Sequence, residues 1–231
     1  MKQITSILIF FTLSSGVFAQ EGLRLGIKGA PQASWMFNAD EADHPDFLYV
    51  PTVRSSFGLS LGFNFSDRAG LAMDVLWSDQ GQRYEYGNHD YSTRLRYLKL
   101  PFMLSINSNP DKTGFVFMNI GPQFGFLLSA ETDNHLIVDD GDLEFYNEDL
   151  EDVRDAYQSF NFGAMFAVGV AFNLSEFMQF TTALRGDFAV TDAEDKQYFV
   201  DQDRPSTYNA TLGLEFGLRF ILRTKEYDTY E

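Results

Sequence analysis

From Phe160 to Leu174 the chain reads FNFGAMFAVGVAFNL, fifteen residues without a charge. Sorted by parity, the even positions are Phe160, Phe162, Ala164, Phe166, Val168, Val170, Phe172 and Leu174, all apolar and mostly bulky. The odd positions are Asn161, Gly163, Met165, Ala167, Gly169, Ala171 and Asn173, small or polar with one methionine. A period of two is the signature of a strand whose faces meet different surroundings. A helix would mix the two sets on every face, and Gly163 and Gly169 would each weaken it. The stretch therefore predicts a strand with one fully apolar face.

The pattern recurs. Tyr208, Ala210, Leu212, Leu214, Phe216, Leu218, Phe220 and Leu222 oppose Asn209, Thr211, Gly213, Glu215, Gly217, Arg219 and Ile221. In 23–35, Leu23, Leu25, Ile27 and Trp35 oppose Arg24, Gly26 and Lys28; in 53–65, Phe57, Leu59, Leu61 and Phe63 oppose Arg54, Ser56, Gly58 and Gly62. Segments 71–77 (Met73 and Val75 against Asp74), 94–106 (Leu98 to Ile106 against Lys99, Pro101 and Ser105) and 115–130 (Val116 to Leu128 against Asn119, Gln123 and Ser129) alternate too. Residues 178–188 set Phe180, Leu184 and Phe188 against Gln179, Thr181, Arg185 and Asp187, which makes eight strands.

The links alternate in length. Ser66–Arg68, Asn107–Lys112 and Ser175-Glu176 are tight turns, whereas 38–50, 79–92, 131–157 and 190–207 are long. Short turns on one side and long loops on the other are the arrangement of an outer-membrane barrel. In hydrocarbon every backbone N–H and C=O needs a partner, so a sheet there must close on itself. The expected fold is all-β, an eight-stranded antiparallel up-and-down transmembrane barrel with short periplasmic turns and long acidic outer loops. Eight strands leave a lumen that side chains fill, which argues against an open channel. Trp35, Trp77 and Tyr208 have the apolar parity and fall near the long loops, as an outer aromatic girdle would.

The first nineteen residues, with Lys2, an apolar run from Ile4 to Leu13 and Val17-Phe18-Ala19, read as a cleaved signal peptide (1–19) ahead of a barrel domain (20–231). Later residues hold no apolar run long enough for a spanning helix. The absence of cysteine excludes disulfides and thiolate sites, and a formal charge of −16 argues against nucleic acid as a partner. With 24 Phe and 11 Tyr the chain is too apolar to be disordered.

The segments LRLGIKGAPQASW, RYLKLPFMLSI, FMNIGPQFGFLLSA and ATLGLEFGLRF resemble the PorT-type outer-membrane β-barrel family of Bacteroidota, small barrels like OmpA and OmpX. The likeness spans essentially the whole mature chain, with Leu100-Pro101 and Gly121-Pro122 as its more specific pieces. Ala30-Pro31-Gln32 stands where the family often has Gly-x-Asn, and Phe220 is followed by an acidic eleven-residue tail, 223–231 at its end. The resemblance implies a small barrel in the outer membrane. One branch of that family is associated with type IX secretion and gliding, and most members have no assigned activity.

The polar face carries Arg24, Lys28, Arg54, Asp74, Arg185, Asp187, Glu215 and Arg219. A charge at mid-depth on the lipid face would cost about 2–4 kcal/mol, so these residues should form an interior polar network. Glu215 is expected to bridge Lys28 and Arg185, either as packing of a filled lumen or as a functional centre. The 131–157 loop holds eleven acids and one base, Arg154, for a formal charge of −10. Within it Asp139, Asp140, Asp142 and Glu144 are spaced such that oxygen ligands for Ca²⁺ are conceivable, but without a full EF-hand pattern; a solvated charge run is the default, and no cofactor is otherwise expected. Leu150, Val153 and Tyr157 fall at helical spacing, which predicts a short amphipathic helix over the mouth.

His44, His89 and His135 fall in three outer loops near carboxylates, with no serine nucleophile beside them. The expected task is non-enzymatic: a scaffold, accessory or surface-binding barrel, monomeric, with outer-membrane lipid, lipopolysaccharide and other envelope proteins as partners. Two alternatives stand beside it. One is a surface enzyme built on the loop histidines and acids; the other is a soluble exported barrel carrying an apolar ligand, with its bulky face turned inward.

Overall fold

The computed structural model describes residues 22–38, 48–66, 68–86, 89–133, 135–139, 142–146, 151–198 and 205–222. The segments read as signal peptide and C-terminal tail, and His44 and Asp140, lie outside them. The strands are β1 (Leu23–Asn38), β2 (Leu48–Asn64), β3 (Ala69–Tyr86), β4 (His89–Asn107), β5 (Gly114–Thr132), β6 (His135–Asp139), β7 (Asp142–Tyr146), β8 (Glu151–Asp152), β9 (Phe160–Asn173), β10 (Met178–Ala189) and β11 (Thr207–Leu222). Eight of them form a closed antiparallel barrel in the order β4-β3-β2-β1-β11-β10-β9-β5, with β4 pairing back onto β5. The small strands β6 and β7 form a separate hairpin, and β8 adds to the upper end of β5.

Register fixes the size of the barrel. Directly paired residues run Leu23, Phe63, Leu71, Leu104, Ile120, Phe166, Gly186, Leu212 and back to β1 at Ala33, ten residues beyond the start (33 − 23). With a rise of ~3.3 Å per residue and strands ~4.8 Å apart, that stagger tilts the strands by about 40° and sets a backbone radius of about 8 Å. Such a cylinder is filled by its own inward side chains.

Which face is which follows from exposure. Leu59, Phe166, Val168, Leu184 and Leu214 stand outward, while Lys28, Asp74, Lys99, Arg185 and Glu215 are buried inside. A soluble ligand-carrying barrel needs the reverse arrangement, so that alternative falls. The apolar sheath is continuous because the outward positions of the eight strands within the lipid band repeat the parity seen in β9.

Four expectations are corrected. Residues 79–92 are not a loop: β3 and β4 continue paired as far as Tyr86 and His89. Once the strands rise above the lipid both faces become polar, so the hydropathy alternation stops while the backbone ladder does not. Ser129 does not face the lumen, because Tyr97 pairs with Leu127 and Arg96 with Ser129, leaving Leu128 as a bulge residue that reverses parity. Leu127 and Ala130 are therefore buried, and Ser129 joins Arg96 outside. No amphipathic helix appears over the described part of 147–157: Glu151 and Asp152 are strand, and only a single 3₁₀ turn, Arg154–Ala156, follows. Pairing with the free top of β5 satisfies backbone groups that a short isolated helix would leave open.

Trp77 also departs from its expected level. It pairs with Phe57, which pairs with Gly29, six residues below Trp35 on β1. After allowing for the strand stagger, Trp77 sits roughly 9 Å deeper in the apolar band than Trp35. Tyr208 pairs with Phe37 and does share the level of Trp35.

Candidate functional site

The barrel interior is layered, and each layer is set by what neighbouring strands bring to one height. Uppermost is an apolar cap. Met36, Leu95, Tyr97, Leu127 and Ala130 from the wall enclose Ala193 from the β10–β11 connection, and Val153 and Tyr157 pack against them. Main-chain bonds fasten it: Val153 N–H donates to Ala130 O at 3.0 Å, Gln158 N–H to Ala193 O at 2.9 Å and Ala193 N–H to Thr207 O at 2.7 Å. Tyr97 is wholly buried, and its hydroxyl accepts from the Asn209 amide at 3.2 Å. A layer of neutral hydrogen bonds follows, in which Gln32 donates to Ser78 Oγ at 3.0 Å and Ser34 Oγ accepts from Gly81 N–H at 2.9 Å.

At mid-height lies a chain of ion pairs. Lys28 Nζ is 2.8 Å from Asp74 Oδ2 and 3.0 Å from Glu215 Oε1; Arg185 Nη1 is 3.7 Å from Glu215 Oε2, and Arg185 Nη2 is 3.6 Å from Asp187 Oδ2. Lys99 closes the chain on Asp187, whose other oxygen accepts from Thr211 Oγ1 at 2.6 Å. The carboxylate of Glu215 thus lies between Lys28 and Arg185. Its register explains this, since Glu215 is two residues from the partners of both, Gly217 opposite Lys28 and Gly213 opposite Arg185. Arg185 also reaches across β9 toward Gln123 Oε1 at 3.5 Å. The small inward residues Gly163 and Ala167, paired with Gln123 and Arg185, lie under that path. Gly163 has a second reason to lack a side chain: a Cβ there would stand 2.2 Å from Phe188 O on the neighbouring strand.

The predicted network is therefore joined in part. Lys28, Asp74, Arg185, Asp187 and Glu215 are linked; Arg24 and Arg219 lie four residues lower on β1 and β11 and, among the described residues, have no ion-pair partner within 4 Å, while Arg54 Nε meets no acceptor there. The reason is geometric, because parity selects the inward face but not the height on it. Lys99 was missing from the predicted network although its inward parity was legible beside Pro101. Its partner Asp187 lies 88 positions away in sequence, which no local pattern reveals.

The outer candidates are more scattered. His89 opens β4 opposite Tyr86, and His135 opens β6 opposite Tyr146, on two different hairpins. Asp139 and Asp142 pair at the tip of the β6–β7 hairpin. Among the described residues no cluster of three metal-ligating side chains occurs. On the outer wall above the lipid band Arg94 grips Asp79, with Nε 3.0 and 2.9 Å from its two oxygens. Arg96 forks onto Glu131 at 2.7 and 3.1 Å.

The sequence of residues 18–195 matches the family model described as outer membrane protein beta-barrel domain. No curated protein matches the chain. Among solved structures, the outer membrane protein OprG from Pseudomonas aeruginosa is 13% identical, with 89% of this chain and 98% of that one covered at a TM-score of 0.51. The outer membrane protein AlkL is 9% identical (91% and 94% covered, TM-score 0.47), and Neisserial surface protein A is 10% identical (86% and 96%, TM-score 0.46). A closed eight-stranded wall, an apolar outside and a charged inside agree with the sequence match: this chain belongs to the outer-membrane β-barrel domain family, as a small barrel of the outer membrane.

Proposed function

We propose that this chain is a non-enzymatic outer-membrane barrel that conducts nothing and works at its outer rim, as a scaffold or accessory that binds envelope or surface partners through acidic loops. The observation that carries this reading is the sealed interior, with an apolar cap above a buried ion-pair chain. A conduit needs continuous room, whereas here Lys28 and Arg185 are committed to Glu215, and Lys99 to Asp187, across the lumen. What remains available for recognition is the outer extension: the raised β3–β4 ribbon, the β6–β7 hairpin and a loop of formal charge −10. The PorT-type resemblance supports an accessory role in type IX secretion as the finer version of this reading. Signal cleavage after Ala19, a monomeric state, contact with lipopolysaccharide and Ca²⁺ as the one candidate loop ligand belong to the same proposal.

Two measurements test it together. Reconstituted in planar bilayers, the barrel is expected to give no conductance steps; steady single-channel openings would overturn the sealed-lumen reading. In cells, photo-crosslinkers placed along 131–157 are expected to capture envelope proteins or a surface ligand. Capture must disappear when the loop carboxylates are replaced by amides, and unchanged capture would refute a role for their charge.

A further inference from the structure

About 10 Å below the ion-pair chain, toward the short-turn end, two buried guanidinium groups lie side by side on β1 and β11. Arg24 is 6% exposed and Arg219 8% exposed. Among the described residues neither has an ion-pair partner within 4 Å, and Arg24 Nε and Arg219 Nη1 meet no acceptor. Arg219 rests its guanidinium on the Phe117 ring, 4.5 Å from the centroid, and Arg24 lies over Gly62, where a Cβ would come within 3.2 Å of Nε. Both groups are therefore held in place by packing rather than by a counter-ion. They line a cavity of about 20 Å³ together with Lys28, Asp74, Ser105 and Asn119.

The charge in this pocket does not balance. Three cations, Arg24, Lys28 and Arg219, line the pocket with Asp74, which Lys28 already engages at 2.8 Å through Oδ2, while Glu215 attracts Arg219 only from beyond ion-pair distance and is shared between Lys28 and Arg185. Asp74 Oδ1 and Asn119 Oδ1 are the acceptors left on the Lys28 side of the pocket. A buried charge without a partner costs several kcal/mol, and two like charges side by side add repulsion. Arginine cannot escape this by losing its proton, because its pKa in water exceeds 12. The two guanidinium groups in this arrangement call for a mobile negative charge.

We propose that Arg24 and Arg219 form a binding site for a small inorganic anion, a halide in size and charge, held between Arg24 Nε and Arg219 Nη1 at the periplasmic end of the lumen. The cavity has room for a body the size of a water or a chloride ion. Ala72 in the lining and the Phe117 ring under Arg219 are apolar, which strengthens the attraction for an anion. Bound there, the anion is a structural counter-ion that completes the lumen filling from the side opposite the cap.

The test uses the full barrel in detergent, with bromide as the probe. Crystals grown in sodium bromide are expected to show an anomalous peak within about 3.5 Å of both Arg24 Nε and Arg219 Nη1. Bromide confined to exposed lysines, an adventitious ion only, with non-anomalous density between the two arginines, would overturn the site. In solution the urea midpoint should rise saturably with chloride and not with gluconate at equal ionic strength. That difference should vanish in Arg24→Gln and Arg219→Gln and persist in Arg54→Gln. An equal response to both anions in the wild type would sink the proposal, and this readout stands even where a variant fails to fold.

Discussion

Replacing Glu215 by glutamine removes one charge and little volume, and so tests whether the ion-pair chain holds the barrel together. The wild-type carboxylate is 2% exposed and faces Lys28 at 3.0 Å and Arg185 at 3.7 Å. At an effective dielectric constant near 20, those two attractions are about 5 kcal/mol each before desolvation. Removing the carboxylate also removes the cost of burying it, several kcal/mol, which offsets part of the loss. Lys28 and Arg185 then keep one carboxylate each, Asp74 and Asp187. The expected net destabilisation is about 3 kcal/mol, the lower end for breaking a buried pair. The assay is urea unfolding of refolded barrel in vesicles, followed by the fluorescence of Trp35 and Trp77 and by heat-modifiable gel migration. The double variant Lys28→Gln with Glu215→Gln should cost less than the sum of the two singles, because each single strands the other's charge. A Glu215→Gln barrel within about 0.5 kcal/mol of wild type, or strict additivity of the pair, would refute a structural role for this chain of charges.

Three further outcomes follow from the wall and the cap. Leu184→Arg places a charge on an outward side chain at mid-depth, and should cost about 2–4 kcal/mol in the same unfolding assay. Gly121→Ala would set a Cβ 1.9 Å from the Phe102 carbonyl on β4, so the seam between β4 and β5 should fail to close, read as loss of the heat-modifiable folded band. Tyr97→Phe leaves the buried Asn209 amide without its 3.2 Å acceptor and should cost about 1–2 kcal/mol, with faster amide exchange in the cap than in the lower wall.

How much of this was legible beforehand depended on the physical source of each feature. Lipid outside and protein inside impose a strict period of two, so β9 and β11 declared their faces residue by residue. Above the bilayer that constraint ends, and the paired stretch of residues 79–92 looked like loop because neither face there is uniformly apolar. The bulge at Leu128 was invisible for a related reason: one inserted residue changes parity without changing composition. Inside, the bridging position of Glu215 could be read from hairpin symmetry, because β10 and β11 share a tight register. The pairing of Lys99 with Asp187 could not, since it joins strands from opposite sides of the wall and depends on stagger. The cap was hidden for the same reason, as Ala193 is an unremarkable alanine until the barrel places Leu95 and Tyr97 around it.

The three interior layers differ in what they ask of the surroundings, and this difference gives the barrel a direction. The cap is apolar and fastened by main-chain bonds, so it seals the outer mouth without ions. The middle layer has its carboxylates and cations matched closely enough that neither side needs solvent. Among the described residues the lower layer brings two guanidinium groups without an ion pair together, and it is the layer nearest the short turns. A barrel that merely filled its interior would gain nothing by concentrating an uncompensated charge at one end. On the proposal made above, the anion reaches its site from the short-turn side, because the apolar cap closes the other mouth.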